Sequence, residues 1–361
     1  MRTRRWISLG VIVILTLAGC GPTAKEKQVI EDLTMNMKTV CMGRFVMDIP
    51  RDMKVLGRVE LYYGLDESFK TVDVEIESLD STVEAMRTKA SAEAEKIKGY
   101  QNWESKGAML LDYRVIDDRT IYLRQYAGLE SSSGSKHALR VLVGKTQLRL
   151  SAASYEGVPE AGRYEPGGKV ETPEQVANRL LKVARQIRSY EDAEKAGSGF
   201  CLGPVVIDSD QDEEQADFYY GMNKNPDLSL RILNRALTPD RPDEQLAQRV
   251  RIADGRSDMH VLRNRDTTLG GMQAHEALVR ITDEHDNMKL AFVAESIRAK
   301  PALSRPHLVV NFGTGGQLSS GEYVGSSLTP NEGIGLWDAI VKSIRLRPDA
   351  VRAEQPAASP K

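Results

Sequence analysis

The sequence has few of the residues that build metal centres and disulfide frameworks. Its 361 residues include three cysteines and five histidines, and no Cys-x-x-Cys pair occurs. His275-Glu276 begins like a zinc-protease motif, but no second histidine follows at the required spacing. His275 and His285 are also not at a ligand spacing. We therefore expect no metal site and no cofactor.

The sequence also lacks the motifs of hydrolases and nucleotide-binding proteins. No Gly-x-Ser-x-Gly pentapeptide supplies a nucleophile elbow. The glycines of Gly313–Gly316 are not followed by the Lys-Ser/Thr of a phosphate loop, and Gly144-Lys145-Thr146 lacks the earlier glycine of that loop. We predict no catalytic residue, and we predict that the chain is not an enzyme.

The sequence also lacks a large excess of either sign of charge. The chain has 49 basic and 51 acidic residues and a formal charge of −2, and no basic patch is interleaved with aromatic residues. This excludes the electrostatic footprint of a nucleic-acid partner. A hydrophobic content of 41% and a charged content of 28% are typical of a globular protein, and the length favours two domains.

The N-terminus carries the one long apolar run of the sequence. Three arginines precede an apolar stretch over residues 6–17, and Leu17-Ala18-Gly19-Cys20 ends it. This segment resembles a bacterial lipoprotein signal, which implies cleavage before Cys20 and attachment of lipid to its sulfur. Gly21 at the next position favours the outer membrane over the inner membrane. A plain signal peptide or membrane anchor that happens to end in cysteine is the alternative.

Two pairs of similar segments indicate an internal duplication. Cys41–Asp48 and Cys201–Asp208 share cysteine, glycine, valine and aspartate at the same positions, at an offset of 160 residues. Thr172–Gln175 and Thr329–Glu332 share the capping threonine, the first-turn proline and the polar residue of a capping box, at an offset of 157 residues. A period of this length indicates two similar domains and excludes a solenoid.

The remaining pattern alternates strands with single helices in each half. Short turns between the predicted strands favour antiparallel pairing, and each predicted helix has one apolar face. We therefore predict an α+β fold of two similar lobes, each a mostly antiparallel sheet with helices packed on one face. The expected division is a signal peptide (1–19), a tether (20–35), an N-terminal domain (36–192), a C-terminal domain (193–347) and a disordered tail (348–361).

Cys41 and Cys201 remain once Cys20 is assigned to lipid. In an oxidising compartment they can form one disulfide across the two halves, or they can stay as two buried thiols.

An acidic segment follows the second cysteine motif. It resembles the start of a calcium-binding loop, but Glu213 and Tyr219 stand where an EF-hand needs glycine and glutamate. A solvated loop, a weak calcium site and a partner-facing acidic patch all remain open. The matching segment of the first half has mixed charge, which favours a patch for a basic partner. The candidate residues of this acidic loop are Asp208, Asp210, Asp212, Glu213 and Glu214.

The two cysteine motifs also carry a resemblance to a known family. Thr39–Pro50 resembles the Cys-x-Gly-Arg-aromatic opening of the immunity proteins that inhibit family-4 lipase effectors of type VI secretion. Gly199–Gly203, followed by acidic residues, is similar to the start of the C-terminal domain of that family. The resemblance covers residues 36–347 as two family domains.

The resemblance implies a periplasmic inhibitor anchored by lipid to the membrane. Such a protein binds an incoming phospholipase effector and protects the cell from itself and its kin. Two lobes on a hinge would grip the enzyme, and one monomer would bind one effector. The alternatives are a structural or assembly lipoprotein of the envelope and an envelope enzyme with an unrecognised site.

Overall fold

The computed structural model describes residues 21–63, 70–157, 163–165, 168–208, 213–235, 245–253, 257–297 and 302–352. Within these ranges the chain forms five α-helices and twenty-two β-strands. Cys20, Asp210 and Asp212 lie outside the described residues, as does the segment after Arg352.

The first half of the chain contains three helices and eleven strands. In order they are α1 (Ala24–Thr34), β1 (Met37–Gly43), β2 (Phe45–Pro50), β3 (Lys54–Tyr63), β4 (Lys70–Ser78), α2 (Val83–Lys98), β5 (Leu110–Asp117), β6 (Thr120–Tyr126), β7 (Gly134–Val143), β8 (Thr146–Tyr155), β9 (Arg163–Glu165), β10 (Gly168–Val170), α3 (Pro173–Arg185) and β11 (Ile187–Ser189).

The second half follows a short 3-10 helix, Ala193–Lys195. In order its elements are β12 (Phe200–Leu202), β13 (Val205–Ile207), β14 (Glu213–Gly221), β15 (Ser229–Arg235), α4 (Leu246–Ala253), β16 (Met259–Leu269), β17 (Met272–Thr282), β18 (Met288–Ser296), β19 (His307–Thr314), β20 (Gly316–Gln317), β21 (Tyr323–Val324), α5 (Pro330–Ser343) and β22 (Arg345–Leu346).

Twelve strands from both halves form one large antiparallel sheet. Their order is β16-β17-β18-β19-β15-β14-β3-β4-β8-β7-β6-β5. The halves join where β3 pairs with β14, with Lys54 opposite Gly221 at one end and Tyr62 opposite Glu213 at the other. The prediction of an α+β fold with mostly antiparallel sheets is confirmed. The expectation of a hinge between two lobes is wrong, because a continuous ladder of backbone hydrogen bonds crosses the boundary.

A smaller sheet of six strands lies beside the large one, in the order β11-β13-β12-β1-β2-β22. Here the halves exchange strands: β11 of the first half pairs with β13 of the second, and β22 of the second pairs with β2 of the first. The hairpins β1–β2 and β12–β13 turn at Gly43 and Gly203, whose φ angles of 63° and 58° favour glycine. The glycine position shared by the two cysteine motifs thus has a backbone cause.

The two halves have matching strand orders. Read from the central β3–β14 pair outward, the first half continues with β4, β8, β7, β6 and β5, and the second with β15, β19, β18, β17 and β16. In both, the later strands run backwards in sequence from the sheet centre to the sheet edge. This is the arrangement that an internal duplication predicts, and the duplication itself stays a prediction.

The main core lies between the two sheets, where α3 and α5 pack. Both helices begin as predicted, with complete capping boxes at Thr172 and Thr329. Leu180 of α3 and Trp337 of α5 are fully buried in a cluster that also holds Phe45 of the small sheet. Burial of side chains of this size contributes about 1.5–3 kcal/mol each, so the layer of helices holds the sheets together.

Both ends of the described chain are bound to this body. The segment 20–35, expected to be a tether, contains α1, whose Ile30 packs so closely on α5 that a Cβ atom at Gly335 would lie 2.6 Å from it. Residues 348–352, expected to be part of a disordered tail, are also held, because the Gly199 N–H donates to the Ala350 carbonyl over 3.2 Å. None of the described helices has the length and apolar character needed to cross a membrane.

Candidate partner-binding site

A groove of about 940 Å³ lies between α4 and the outer face of the large sheet, which is the face turned away from α3 and α5. We call it the α4 groove. Strands β15, β17, β18 and β19 form its floor, and its apolar side chains include Leu233, Ala277, Val279, Ala291, Val293 and Val309.

Strand alternation explains why this floor is apolar. Along β18, Leu290, Phe292 and Ala294 point inward and are buried, and the Phe292 ring lies 6.0 Å from the Trp337 ring of α5. Ala291 and Val293 point to the opposite face, where they are only half-buried. The second half therefore has apolar residues on both faces of its strands, and only the inner face is fully covered.

The rim of the α4 groove carries three arginines, two of which are paired with carboxylates. Arg231 pairs with Asp217, with Nε–Oδ1 and Nη2–Oδ2 distances of 2.9 and 2.5 Å. Glu295 accepts from Arg249 and lies 2.7 Å from His307 Nε2. Arg235 is exposed at the end of β15. An apolar floor with arginines around it is suited to an apolar segment that carries carboxylates.

The acidic loop predicted from the sequence is not a single exposed patch. Glu214 is 1% exposed and accepts two hydrogen bonds from Arg44, at 3.0 Å from Nε and 2.6 Å from Nη2. Glu214 is therefore excluded from direct contact with a partner, and that part of the prediction is wrong. Its charge is used inside the protein, because a buried arginine needs a counter-ion.

The other members of the acidic loop are placed differently. Asp208 accepts from Ser198 at 2.9 Å and from Arg352 at 2.6 Å, so it binds the C-terminal segment. Glu213 begins β14, where its backbone pairs with Tyr62. Asp210 and Asp212 lie outside the described residues, and their role as partner contacts stays a prediction.

A buried junction joins the two halves next to Glu214. Arg44, from the first cysteine motif, also donates to the Ala350 carbonyl. Arg347 is 1% exposed and donates to the carbonyls of Gly197 and Gly199. Burial lowers the pKa of Arg347 to about 10, and the nearby Arg44 adds to this shift. Arg44 of the first cysteine motif therefore has a structural role across the boundary between the two halves.

Cys41 and Cys201 form a disulfide at this boundary, with Cα atoms 5.7 Å apart. The two cysteines belong to β1 and β12, the neighbouring strands of the small sheet that come from different halves. Both sulfurs are enclosed by Val46, Ala193, Ala196 and Val206. The lipid site proposed at Cys20 lies outside the described residues.

One buried cluster has the outline of a nucleophile beside a base. His137 Nε2 lies 2.8 Å from the Ser154 hydroxyl, and Nδ1 lies 2.7 Å from the Tyr122 hydroxyl. Burial and the nearby Arg124 lower the pKa of His137 to about 4, so the ring is neutral at pH 7. His137 is only 1% exposed, so no substrate can reach it in this structure. The cluster is best explained as a satisfied polar network in the core.

Sequence reasoning missed the α4 groove. The signal was present in strand β18, where Leu290 and Phe292 on one face and Ala291 and Val293 on the other make both faces apolar. A strand that is apolar on both faces predicts cover on both sides. Among the described residues, the helical cover of this face is α4, which has eight residues.

Comparison with known proteins identifies relatives of this architecture. Residues 195–349 match the model of the Tle cognate immunity protein 4 C-terminal domain. No curated protein sequence matches the chain.

Two solved structures share the fold over most of the chain. One is the apo structure of the immunity protein TplEi of the type VI secretion system from Pseudomonas aeruginosa, with 19% identity, a TM-score of 0.62, and 87% and 98% of the two chains covered. The other is a chain of the Tle4–Tli4 complex, with 18% identity, a TM-score of 0.63, and 88% and 99% covered. A TplEi structure with a bound "L" peptide is also similar, with 20% identity, a TM-score of 0.57, and 87% and 99% covered.

Proposed function

We propose that the chain is an immunity protein that binds and inhibits a cognate type VI secreted phospholipase, because residues 195–349 match the model of the Tle cognate immunity protein 4 C-terminal domain. The family match is the observation that carries the proposal. It covers every residue of the α4 groove, from Ser229 to Gly313. The fold shared with TplEi over 87% of the chain supports it.

The α4 groove is the proposed contact of the C-terminal half with the effector. Its occupant would be an apolar segment of the enzyme that carries carboxylates, because the floor is apolar and Arg235 and Arg249 stand at the rim. Complexes of enzymes with inhibitors typically bury about 1,600 Å² in total, so the groove would form one part of a larger interface. The chain then acts by binding and not by catalysis, as a monomer on one effector.

We further propose that the protein is lipid-anchored through Cys20 and faces the periplasm, at the outer membrane. Thr23 caps α1 only three residues after Cys20. Three residues of extended chain span at most about 11 Å, so the folded body would be held close to the bilayer. This raises the local concentration of the inhibitor at the surface that a phospholipase attacks.

The test sends the cognate phospholipase effector to the periplasm of a bacterial host, with and without this chain. The full chain should restore growth and should co-purify with the effector at a ratio of one to one. The variant Arg235→Glu reverses a charge at the groove rim and should weaken binding about tenfold or more. Arg280→Glu is the matched control, because Arg280 is exposed on β17 and is absent from the lining of the groove.

Lysis with and without the chain would reject the proposed function for that effector. Equal binding by Arg235→Glu and Arg280→Glu, together with rescue by the unchanged protein, would reject the groove and leave the function standing. A Cys20→Ala variant that binds in solution but protects poorly would support the anchor. Full protection by that variant would mean that the lipid is not needed at the site of action.

A further inference from the structure

An exposed apolar patch lies at one end of the first half of the large sheet. Trp103 is 57% exposed, Tyr100 is 52% exposed and Leu129 is 40% exposed. We call these three residues the aromatic tip. Tryptophan is seldom left in water to this extent, and the loops that carry the three residues are built around a hydrogen bond from Trp103 N–H to the Leu129 carbonyl over 2.8 Å.

The loops of the aromatic tip are held rigidly by Asn102, which is fully buried. Its side-chain amide donates to the carbonyls of Gly128 and Ser131 at 3.1 and 3.0 Å. Its side-chain oxygen accepts from the N–H groups of Glu104 and Ser105 at 3.1 and 2.8 Å. Asn102 therefore uses both donors and both acceptor positions to fix one loop against the other.

Glu104 adds a second link between the loops. Its carboxylate accepts from the Ser132 N–H at 2.6 Å and from the Ser132 hydroxyl at 2.9 Å. These hydrogen bonds lower the pKa of Glu104, so the group is ionised at neutral pH. The exposed Trp103 thus stands on a backbone that loses little conformational entropy when it binds a partner.

Rigid exposed aromatic residues are the usual anchors of protein interfaces. We propose that the aromatic tip inserts into an apolar pocket on the cognate effector, with basic groups beside Glu104 and Glu130. This deepens the proposed function and rests on it. It assigns the first half its own contact with the enzyme, separate from the α4 groove of the second half.

Charge favours an effector over a lipid surface as the occupant. The two loops carry two carboxylates, Glu104 and Glu130, and one cation, Lys106. An anionic bilayer offers no cationic protein group to these two carboxylates, whereas a basic rim on a protein would complement them. Arg235 at the rim of the α4 groove has the opposite charge, so one enzyme bound at both surfaces must present both a basic-rimmed pocket and an acidic segment.

The binding test compares Trp103→Ala with Val115→Ala in the otherwise unchanged chain. Val115 is 53% exposed and lies near the far end of β5 from the aromatic tip, so it controls for the loss of exposed apolar surface. We expect Trp103→Ala to weaken binding of the effector about thirtyfold or more, as for an anchor residue. Val115→Ala should stay within twofold of the unchanged protein.

A spectroscopic test follows the tip directly, with the chain labelled with fluorotryptophan. The folded body has two tryptophans, Trp103 and the fully buried Trp337. Effector binding should shift the fluorine resonance of Trp103 and leave that of Trp337 in place. Trp103→Phe assigns the signal and should keep part of the affinity.

The outcomes separate this inference from the proposed function. If the unchanged protein binds the effector and Trp103→Ala binds equally well, the aromatic tip is rejected and the function stands. If the unchanged protein fails to bind, the proposed function fails. If Trp103→Ala keeps its effector affinity but loses binding to vesicles of anionic phospholipid, the tip is assigned to a membrane and the inference is overturned. If the variant keeps that affinity but loses self-association in sedimentation, the tip is assigned to a second copy of the chain, which also overturns the inference.

Discussion

The two halves of the molecule use the same strand order but cover the outer face of their shared sheet differently. In the first half, α2 has sixteen residues and buries Met86 and Ala90 against Ile121 and Leu142. In the second half, α4 has eight residues and leaves the α4 groove beside it. The comparison teaches that the same topology can carry a long covering helix in one half and, within the described residues, a short helix beside a groove in the other.

The two half-sheets also differ in the turns at their ends. The β6–β7 loop at the aromatic tip exposes Leu129, whereas the corresponding β17–β18 turn of the second half consists of Asp283–Asn287. There Asp283 accepts from the N–H groups of His285 and Asn287, both at 2.9 Å, which explains a polar, self-contained turn. In the part of the chain that the structure describes, the aromatic tip and the α4 groove therefore lie at different places in the two halves.

The largest expected effect comes from the disulfide between the halves. The double variant Cys41→Ser, Cys201→Ser opens a cross-link over a separation of 160 residues, for which the chain-entropy model gives a loss of about 4–5 kcal/mol. Because the halves share one sheet, we expect a single urea transition at lower concentration. Two separate transitions would show that the halves unfold independently. The mass of the oxidised protein, two daltons below the reduced form, checks that the bond exists.

The next effect concerns the buried ion pair across the boundary. Arg44→Met leaves Glu214 buried without its arginine, and such a loss costs about 3–4 kcal/mol in the free energy of unfolding. Urea unfolding measures it. The exposed pair Arg87–Asp118, with side chains 44% and 90% exposed, is the control, and Arg87→Met should cost less than about 0.5 kcal/mol. Similar losses for both variants would contradict a joining role for Arg44.

This pair also shows how far the sequence could lead. The hydrophobic pattern and the capping boxes predicted the strands and the helices α3 and α5, because those signals are local. The Arg44–Glu214 pair joins residues 170 positions apart. In the sequence, Arg44 belongs to the first cysteine motif and Glu214 to the acidic loop. Nothing in a single sequence indicates that an acidic loop supplies the counter-ion of a buried arginine.

The binding surfaces were harder to predict for a related reason. The α4 groove depends on how much of a face one short helix covers, and the aromatic tip depends on two loops brought together by Asn102. Trp103 and Leu129 are ordinary apolar residues in the sequence, and only their exposure distinguishes them. Exposure is a property of the packed structure, so composition and periodicity carry no direct signal for it.

Acid should destabilise the protein through His137, which lies in the first half. Its pKa of about 4 in the fold lies below the unfolded value, so the unfolded chain binds the additional proton as the pH falls from 6.5 to 4. This contribution to stability is complete above pH 6.5 and falls by about 2 kcal/mol at pH 5. Urea midpoints between pH 7.5 and 5 measure it. His137→Asn should flatten this dependence, and His285→Asn, at a half-exposed histidine, should leave it as it is.

The smallest effect tests α1, the element that breaks the likeness of the halves. The first half has α1 before β1, whereas the second half has only the 3-10 helix Ala193–Lys195 before β12. Glu26 accepts from the Thr23 N–H at 2.7 Å and from the Thr329 hydroxyl at 2.8 Å, and these bonds lower its pKa to about 2. Glu26→Gln should speed hydrogen exchange of the α1 amides and leave α3 unchanged. Glu31→Gln, on an exposed face of α1, is the control. Equal exchange in both variants would mean that packing of Ile30 alone holds α1, and the cap between the two helices would then contribute nothing to the position of the N-terminus.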